Sequence, residues 1–278
     1  MSDRILLTND DGIDAPGLRA LHDALSTIGD VTVVAPWTNQ SAVGRSLSYG
    51  RVGMEAEDVE YSEADRPSLA DERFSCRIPH DDHDLGYAVR GTPCDCVILG
   101  VNAFERPDIV VSGCNPGANV GAFVLSRSGT ASAAMEGALL DVPSMAVSMD
   151  TLGMGRDPEV ADFERAAALT VDLVEHTLST DVFDHVDYLN VNAPRPDREM
   201  AGVAVTEPTP VYEMDAHYED GEFHLHNRLW EQMASGDLPD PPGTDRRALA
   251  AGKASVSPLT VPHAVQHHDA LDAFAETA

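Results

Sequence analysis

The stretch ILLTNDDGIDAPGL, residues 5–18, decides the fold class of this chain. Its apolar start predicts a short buried strand that ends just before two adjacent carboxylates, Asp10 and Asp11. Open α/β sheets bind ligands at the carboxyl ends of their strands, so both acids lie where a ligand would bind. Adjacent carboxylates repel each other, and their oxygen atoms suit a hard divalent ion. An ordinary solvated Asp-Asp-Gly turn is the alternative that these residues leave open.

The segment that follows continues this strand into a parallel sheet. Apolar residues at three- and four-residue spacing predict a helix over residues 18–28, and β-branched residues predict a strand over residues 31–35. A strand, a helix and a strand in that order begin a right-handed parallel crossover. The carboxyl ends of parallel strands meet at one edge of the sheet. We therefore expect an α/β fold in which Asn39 and Ser41 can converge on the two carboxylates.

A second polar loop follows a later strand. The sequence RGTP at residues 90–93 predicts a helix capped by Thr92 with Pro93 at its first position. A strand over residues 107–112 then leads into SGCNPGANVG, residues 112–121. Glycines allow close backbone approach and asparagines supply neutral oxygen donors, which is more than a simple turn requires.

The sequence after this loop is typical of an anion site. Ser128, Gly129 and Thr130 precede a helix of small residues, and the first N–H groups of a helix bind anions. Taken singly, these residues could be only a helix cap. Together with two acidic metal-type ligands, they indicate a phosphate ester as substrate.

The acidic composition of the chain argues against general nucleic-acid binding. The formal net charge is -29 in 278 residues, Lys253 is the single lysine, and the acids are scattered through nearly every segment. This whole-surface pattern indicates a protein from a high-salt cytoplasm, where screening removes self-repulsion. The periodic apolar segments argue against a disordered acidic chain. Without a basic patch, we expect no general nucleic-acid binding.

Other local features predict a soluble cytoplasmic protein with reduced cysteines. No apolar run reaches the roughly 18 residues of a membrane helix, and the N-terminus has no signal-peptide pattern, so we expect no membrane association. The cysteines do not follow a zinc pattern, and Cys94, Cys96 and Cys114 are expected to pack as small hydrophobic residues. The histidines at positions 263, 267 and 268 are interpreted as a solvated helix start rather than a metal tract.

The remainder of the chain predicts further strands, a long helix and a hairpin. Strands are expected over residues 144–149, 188–192, 203–206 and 255–259, helices over 160–178 and 269–278, and short antiparallel pieces such as 74–78 within 46–89. Segments 211–217 and 222–230 read as a hairpin whose turn is residues 219–221. Its aromatic residues would be exposed on an isolated hairpin, which favours packing on a partner subunit, although folding back on its own core stays an alternative. These residues are Tyr212, Tyr218, Phe223 and Trp230.

The joint order of these motifs resembles the survival protein E (SurE) family of metal-dependent 5'-nucleotidases, in its halophilic archaeal type. The motifs are TNDDG at 8–12, the loop with Asn39 and Ser41, RGTP at 90–93, SGCNPGANVG at 112–121 and RSGT at 127–130. The resemblance covers residues 5–210 and, more faintly, 244–259. It implies a Rossmann-like three-layer α/β sandwich with a mostly parallel sheet, and hydrolysis of nucleoside monophosphates to nucleoside and phosphate. It also implies a homodimer or homotetramer formed through C-terminal arms, which divides the chain into a catalytic core, 1–210, and a hairpin arm with terminal helix, 211–278.

The resemblance also implies the roles of individual residues. One divalent ion per subunit, such as Mg²⁺ or Mn²⁺, would be held by four residues: Asp10, Asp11, Ser41 and Asn115. The substrate phosphate would be bound by Asn119, Ser128, Gly129 and Thr130, and Asp10, Asp11 and Asn119 would be catalytic. Arg127 stands where family members commonly have a tyrosine. Its guanidinium could clamp the phosphate or pair with surface carboxylates.

The expected mechanism is metal-assisted transfer of the phosphoryl group to a water molecule that attacks in line. A role of Asp10 as the general base, or as a nucleophile that forms an aspartyl phosphate, stays open as an alternative. A haloacid-dehalogenase-type phosphatase would need a residue between its two acids, which Asp10 and Asp11 lack. A non-catalytic nucleotide-binding regulator would be expected to have a damaged set of metal ligands, whereas all four positions here carry oxygen donors. Another small phosphate ester stays open as substrate, as do the preferred base, the 5' or 3' position and a polyphosphatase side activity.

Overall fold

The computed structural model describes residues 2–48 and 76–261. The strands of this part are β1 (Asp3–Thr8), β2 (Gly29–Pro36), β3 (His80–Asp82), β4 (Gly86–Val89), β5 (Ile109–Pro116), β6 (Ser144–Met149), β7 (Tyr188–Ala193), β8 (Val203–Val205), β9 (Met214–Glu219), β10 (Glu222–Asn227) and β11 (Ala254–Leu259). The helices are α1 (Pro16–Leu25), α2 (Pro93–Ala103), α3 (Ala122–Leu125), α4 (Gly129–Leu139), α5 (Glu164–Leu178), α6 (Arg228–Ser235) and α7 (Asp245–Ala250).

A large, mostly parallel sheet forms the centre of the fold. Its order is β3-β4-β2-β1-β5-β6-β7-β11-β8. The strands from β4 to β7 are parallel to their neighbours, while β3 and β11 pair antiparallel with β4 and β7. The carboxyl ends of β1, β5, β6 and β7 therefore meet at one edge of the sheet, as the sequence predicts.

Helices cover both faces of the sheet and complete three layers. Along β1, Ile5 and Leu7 belong to the core that includes α1 and α5, whereas Leu6 packs into the core that includes α2. Successive side chains of a strand point to opposite faces, so a strand that is buried on both sides is apolar without alternation. The predicted Rossmann-like three-layer α/β class is confirmed.

Several predicted elements have different bounds in the structure. Helix α1 ends at Leu25 because the N–H of Thr27 donates to the carbonyl of Ala24, three residues back, in a tighter final turn. Strand β5 continues to Pro116, through residues predicted as loop, because Asn115 and Pro116 pair with β6 after a shift in register. Residues 76–79 are not in a strand, while residues 74 and 75 lie outside the described part.

The C-terminal part contains the predicted hairpin in shorter form. Strands β9 and β10 form a separate two-stranded sheet, but Trp230 is in α6 rather than in a strand, since Asn227 caps that helix through a bond from the Leu229 N–H (3.1 Å). Strand β11 lies beyond residue 210 and is part of the large sheet. The division at residue 210 and the arm's role in assembly stay predictions. The helix predicted at 269–278 and the histidines at 263, 267 and 268 lie outside the described residues.

Two further predictions concern the packing of the cysteines and the presence of membrane-spanning helices. Cys94, Cys96 and Cys114 are buried, and burial raises the pKa of each thiol, so all three pack as small hydrophobic residues, as expected. Within residues 2–48 and 76–261, no helix is both long and apolar enough to cross a lipid bilayer.

Candidate active site at the carboxyl edge of the sheet

The turn after β1 is held by the side chain of Asn9. Its amide donates to the carbonyl of Gly12 (2.8 Å), and its carbonyl oxygen accepts from the Gly12 N–H (3.2 Å). Gly12 has φ of +100°, and a Cβ there would lie 3.1 Å from the backbone of Thr38. Glycine is therefore required at this turn, which holds Asp10 and Asp11 at the edge of the sheet.

Asp10 is a buried carboxylate at the N-terminus of α4. It is 3% exposed, and Oδ1 accepts a 2.6 Å hydrogen bond from the Thr130 hydroxyl. Burial raises the pKa of Asp10, and hydrogen bonds from the Thr130 side chain and from the backbone of Thr130 and Gly129 oppose that rise. A Cβ on Gly129 would lie 2.7 Å from both Cβ and Oδ2 of Asp10. The helix terminus predicted to bind an anion thus contacts the carboxylate of Asp10.

Asp11 has one oxygen bonded and one without a partner. Oδ1 accepts from the amide of Asn39 (3.1 Å), whereas Oδ2 is buried and has no hydrogen-bond partner in the described part of the chain. Burial, and then the adjacent Asp10, raise the pKa of Asp11 to about 7. A buried oxygen without a donor beside a second acid is costly unless a cation is bound there. Asp10 and Asp11 therefore fit a divalent ion.

Neutral oxygen donors complete this set. Asn39 donates to Asp11, and its carbonyl oxygen accepts from the Ser41 N–H (2.8 Å), so this side chain links the predicted ligand Ser41 to the carboxylates. Asn115 is half-buried at the end of β5, where its amide donates to the Gly117 carbonyl and leaves its own oxygen as an acceptor. The described residues contain no cluster of three His, Cys, Asp or Glu side chains suited to a metal. A site here would combine two acids with hydroxyl and amide oxygens.

Asn119 lies at the centre of a hydrogen-bond network that the sequence did not predict. Its amide donates to Thr130 Oγ1 (3.3 Å) and to Ser148 Oγ (3.0 Å). Its backbone N–H donates to Asn192 Oδ1 (2.8 Å), and its carbonyl accepts from the amides of Asn190 (2.9 Å) and Asn192 (3.2 Å). Both amide hydrogens of Asn119 are therefore engaged, and its position is fixed by β6, β7 and α4.

Ser128 and Arg127, also predicted to bind phosphate, have different surroundings. Ser128 is buried and caps α4, since its Oγ accepts from the Ala131 N–H (3.1 Å), while its own proton is available to a ligand. Arg127 is exposed and donates to the Tyr212 hydroxyl (3.1 Å), with its guanidinium 5.6 Å from the centre of that ring. Among the described residues, Arg127 contacts this tyrosine and forms no ion pair with a carboxylate.

Asp245, which is distant in sequence from the other site residues, binds the backbone next to the site. Its carboxylate is fully buried and accepts from the backbone N–H groups of Gly121 (2.7 Å), Thr209 (3.1 Å) and Arg246 (2.8 Å). Burial raises its pKa, and these three bonds oppose the rise. Helix α7 is not predicted from the sequence, and a threonine followed by an aspartate is a general helix-start signal that identifies neither Gly121 nor Thr209 as a partner.

A known protein family matches most of this chain. The sequence model of the family described as Survival protein SurE matches residues 5–213, about three quarters of the chain. The chain belongs to the SurE family. The match begins in β1, which leads to Asp10 and Asp11, and includes every residue predicted for the site.

Named relatives of this SurE-family chain match over nearly its full length. A protein of Haloarcula marismortui, 5'-nucleotidase SurE, is 49% identical over 98% of this chain and 94% of its own length. A protein of the same name from Syntrophus aciditrophicus is 37% identical over 97% and 91%. The crystal structure of the SurE protein from Aquifex aeolicus covers 99% of both chains with a TM-score of 0.72 and 32% identity.

Proposed function

We propose that this chain hydrolyses nucleoside monophosphates to nucleoside and phosphate, as a 5'-nucleotidase that uses one divalent ion such as Mg²⁺ or Mn²⁺. The observation that carries the proposal is the buried Oδ2 of Asp11, which has no hydrogen-bond partner among the described residues and lies beside the buried carboxylate of Asp10 at the carboxyl edge of the sheet. The activity in the names of the relatives from Haloarcula marismortui and Syntrophus aciditrophicus supports the same reaction.

The proposed ligands are Asp10, Asp11, Ser41 and Asn115. When bound, the ion would supply Lewis-acid polarisation of a phosphate oxygen and activation of water. Asp10 is held by the Thr130 hydroxyl and by the first N–H groups of α4, which suits a fixed ligand better than a nucleophile that must change partners. We therefore favour attack by water over an aspartyl-phosphate intermediate.

The phosphate would bind at the start of α4. The Ser128 hydroxyl retains a proton to donate, and the positive end of the helix favours the charge that develops on the phosphoryl oxygens. Both amide hydrogens of Asn119 already have acceptors, so a direct bond from Asn119 to phosphate would require release of Thr130 or Ser148. Arg127 would reach the phosphate only after leaving Tyr212.

The test is phosphate release from nucleoside 5'- and 3'-monophosphates and from polyphosphate, in high salt, with EDTA and then with added Mg²⁺ or Mn²⁺. Asp11→Asn is compared with Asp14→Asn, an exposed aspartate three residues further along the same turn. We expect Asp11→Asn to lose release by about a hundredfold or more and to lose Mn²⁺ binding in calorimetry, because a ligand charge is removed. Asp14→Asn should keep both. Absence of release by folded, Mn²⁺-loaded wild-type protein would overturn the proposal and favour a regulator.

We also propose that the hairpin β9–β10 joins two copies of the chain in a homodimer or homotetramer. The side chains of Tyr218, Phe223 and Leu225 are 64%, 84% and 80% exposed. An exposed apolar face of this kind is typical of a protein interface. Light scattering should show a smaller assembly for Phe223→Glu but not for Glu222→Gln, the neighbouring residue on β10. An unchanged mass for Phe223→Glu would contradict this role.

A further inference from the structure

A cavity lies at the carboxyl edge of the sheet, next to the C-terminal helices. It has a volume of about 220 Å³ and is located between the ends of β6 and β7 and helices α6 and α7. Its polar lining consists of Asp150, Arg195 and Arg198, and its apolar lining includes Leu152, Met233 and Leu249. None of these residues has a role in the chemistry described above.

The cavity shares a wall with the loop that carries Asn119. Ala118 and Val120 of that loop form a hydrophobic cluster with Leu249, against which Met233 packs. The Gly117 N–H donates to the carbonyl of Met149, the residue just before Asp150. The loop and the cavity are therefore parts of one packed unit.

The spacing of the strands sets the distance between the two sites. Asp10 follows β1 and Asp150 follows β6, and only β5 lies between these two strands in the sheet. Neighbouring strands are about 4.8 Å apart, and β6 ends three residues beyond Ala146, which lies level with Thr8 at the end of β1. At about 3.3 Å per residue, the ends of β1 and β6 are separated by roughly 14 Å. A group attached to a phosphate at the start of α4 can extend along the sheet edge over this distance.

Two polar groups of the cavity, the Asp150 carboxylate and the Arg198 guanidinium, can form hydrogen bonds with a ligand. Asp150 is 9% exposed, and in the described part of the chain its carboxylate accepts one hydrogen bond, from the Leu152 N–H (2.9 Å) to Oδ1. The Arg198 guanidinium is exposed and makes no hydrogen bond or ion pair to the residues described. The second oxygen of the Asp150 carboxylate can accept a hydrogen bond from a ligand, and the Arg198 guanidinium can donate to one.

Arg195 has a structural role in the lining of the cavity. Its guanidinium donates to both carboxylate oxygens of Asp197 (2.9 and 2.5 Å) and to the carbonyl of Leu152 (2.6 Å). These bonds hold the arginine against the loop that contains Leu152 and Gly153. Arg195 therefore shapes the cavity, while Asp150 and Arg198 are available to a ligand.

We propose that this cavity binds the nucleoside part of the substrate. Apolar walls with a few placed polar groups are typical of small-molecule sites and suit the faces of a heterocyclic base. The Asp150 carboxylate would accept from an N–H or O–H of the nucleoside, and Arg198 would donate to a carbonyl oxygen or ring nitrogen of the base. The inference rests on the proposed function, since it assigns the leaving group of the same reaction.

The test uses free nucleosides, which lack the phosphate and report on the cavity without the metal site. Binding of adenosine, guanosine, cytidine and uridine is measured by calorimetry in high salt for wild type, Asp150→Asn and Arg198→Ala. Asp172→Asn on α5 is the control, an exposed aspartate remote from the cavity. We expect Asp150→Asn and Arg198→Ala each to weaken the nucleoside that binds best by about tenfold, because each removes one hydrogen bond to a charged group. The control should bind as wild type does.

Two outcomes would overturn the assignment: wild-type protein that binds none of the four nucleosides, or equal affinity in wild type and both variants. Arg198 is exposed, so its variant keeps the test valid if Asp150→Asn fails to fold. Release of phosphate from p-nitrophenyl phosphate by wild type is measured in parallel. Release without Asp150-dependent nucleoside binding removes the cavity assignment alone, whereas nucleoside binding without release from any ester removes the hydrolase proposal alone.

Discussion

The hydroxyl of Thr130 donates a 2.6 Å hydrogen bond to Oδ1 of Asp10, across 120 residues of sequence. The same hydroxyl oxygen accepts from the amide of Asn119 (3.3 Å), and both Thr130 and Asp10 are buried. The carboxylate is thereby oriented by the first turn of α4 and, through Asn119, by the ends of β6 and β7. The geometry of the proposed metal site thus depends on residues that need not contact the ion.

Replacement of Thr130 by valine tests this dependence. Valine keeps the shape but removes the side-chain hydrogen bond to the buried Asp10 carboxylate and leaves one N–H of the Asn119 amide without an acceptor. We expect the free energy of unfolding to fall by about 2 kcal/mol and phosphate release to fall by about tenfold or more, measured by denaturant unfolding and initial rates. Thr130→Ser retains the hydroxyl and should keep most of the activity. Equal activity of Thr130→Val and wild type would show that orientation of Asp10 by this bond is dispensable.

Gly129 should not tolerate a side chain, because of Asp10. Alanine in a helix normally stabilises it by about 1 kcal/mol relative to glycine. Here the new Cβ would lie 2.7 Å from Asp10 Oδ2, so the carboxylate must move. We expect Gly129→Ala to lose about a hundredfold in phosphate release and to weaken Mn²⁺ binding.

Gly137→Ala is the matched control in the same helix. Its Cβ would crowd Ser144 and Val110 instead of Asp10, so it should lower the melting temperature and still leave activity per folded molecule near that of wild type. Retained Mn²⁺ binding in Gly129→Ala would contradict the proposed role of Asp10 as a ligand.

Asp245 should act as a positioning residue for the loop that carries Asn119. An asparagine has one acceptor oxygen for the three backbone donors of Gly121, Thr209 and Arg246, and its own amide would face them. We expect Asp245→Asn to lose about 2 kcal/mol of unfolding free energy and to lower kcat more than it raises KM. Asp237→Asn, an exposed change before α7, should alter neither quantity. A loss of stability with unchanged kcat would leave Asp245 a purely structural role.

Salt should stabilise the folded protein strongly. A formal net charge of -29 destabilises the compact state by self-repulsion, which is screened as the Debye length falls from about 10 Å at 0.1 M to about 3 Å at 1 M salt. The melting temperature, measured by calorimetry in KCl, is expected to rise by several degrees or more, mostly below about 1 M. A melting temperature that stays constant or falls over this range would argue against adaptation to high salt.

The sequence by itself determined those features that depend on neighbouring residues. Apolar runs and β-branched residues predict the strands, and Thr92 with Pro93 predicts the start of α2, where the structure shows the capping bond to Asp95. The placement of Asp10 and Asp11 at the sheet edge follows from a strand that ends in a polar turn. Local chemistry acts within a few residues, so it can be read from one chain.

Only the tertiary structure decided which distant groups meet. The sequence predicts that Thr130 binds phosphate, whereas its hydroxyl faces Asp10, and nothing local identifies Asp245 as the partner of Gly121. Strand β5 extends through a glycine- and asparagine-rich segment because pairing with β6 continues past a shift in register. Such contacts depend on how strands and helices pack, and hydrogen bonds between residues far apart leave no periodic signal in the chain.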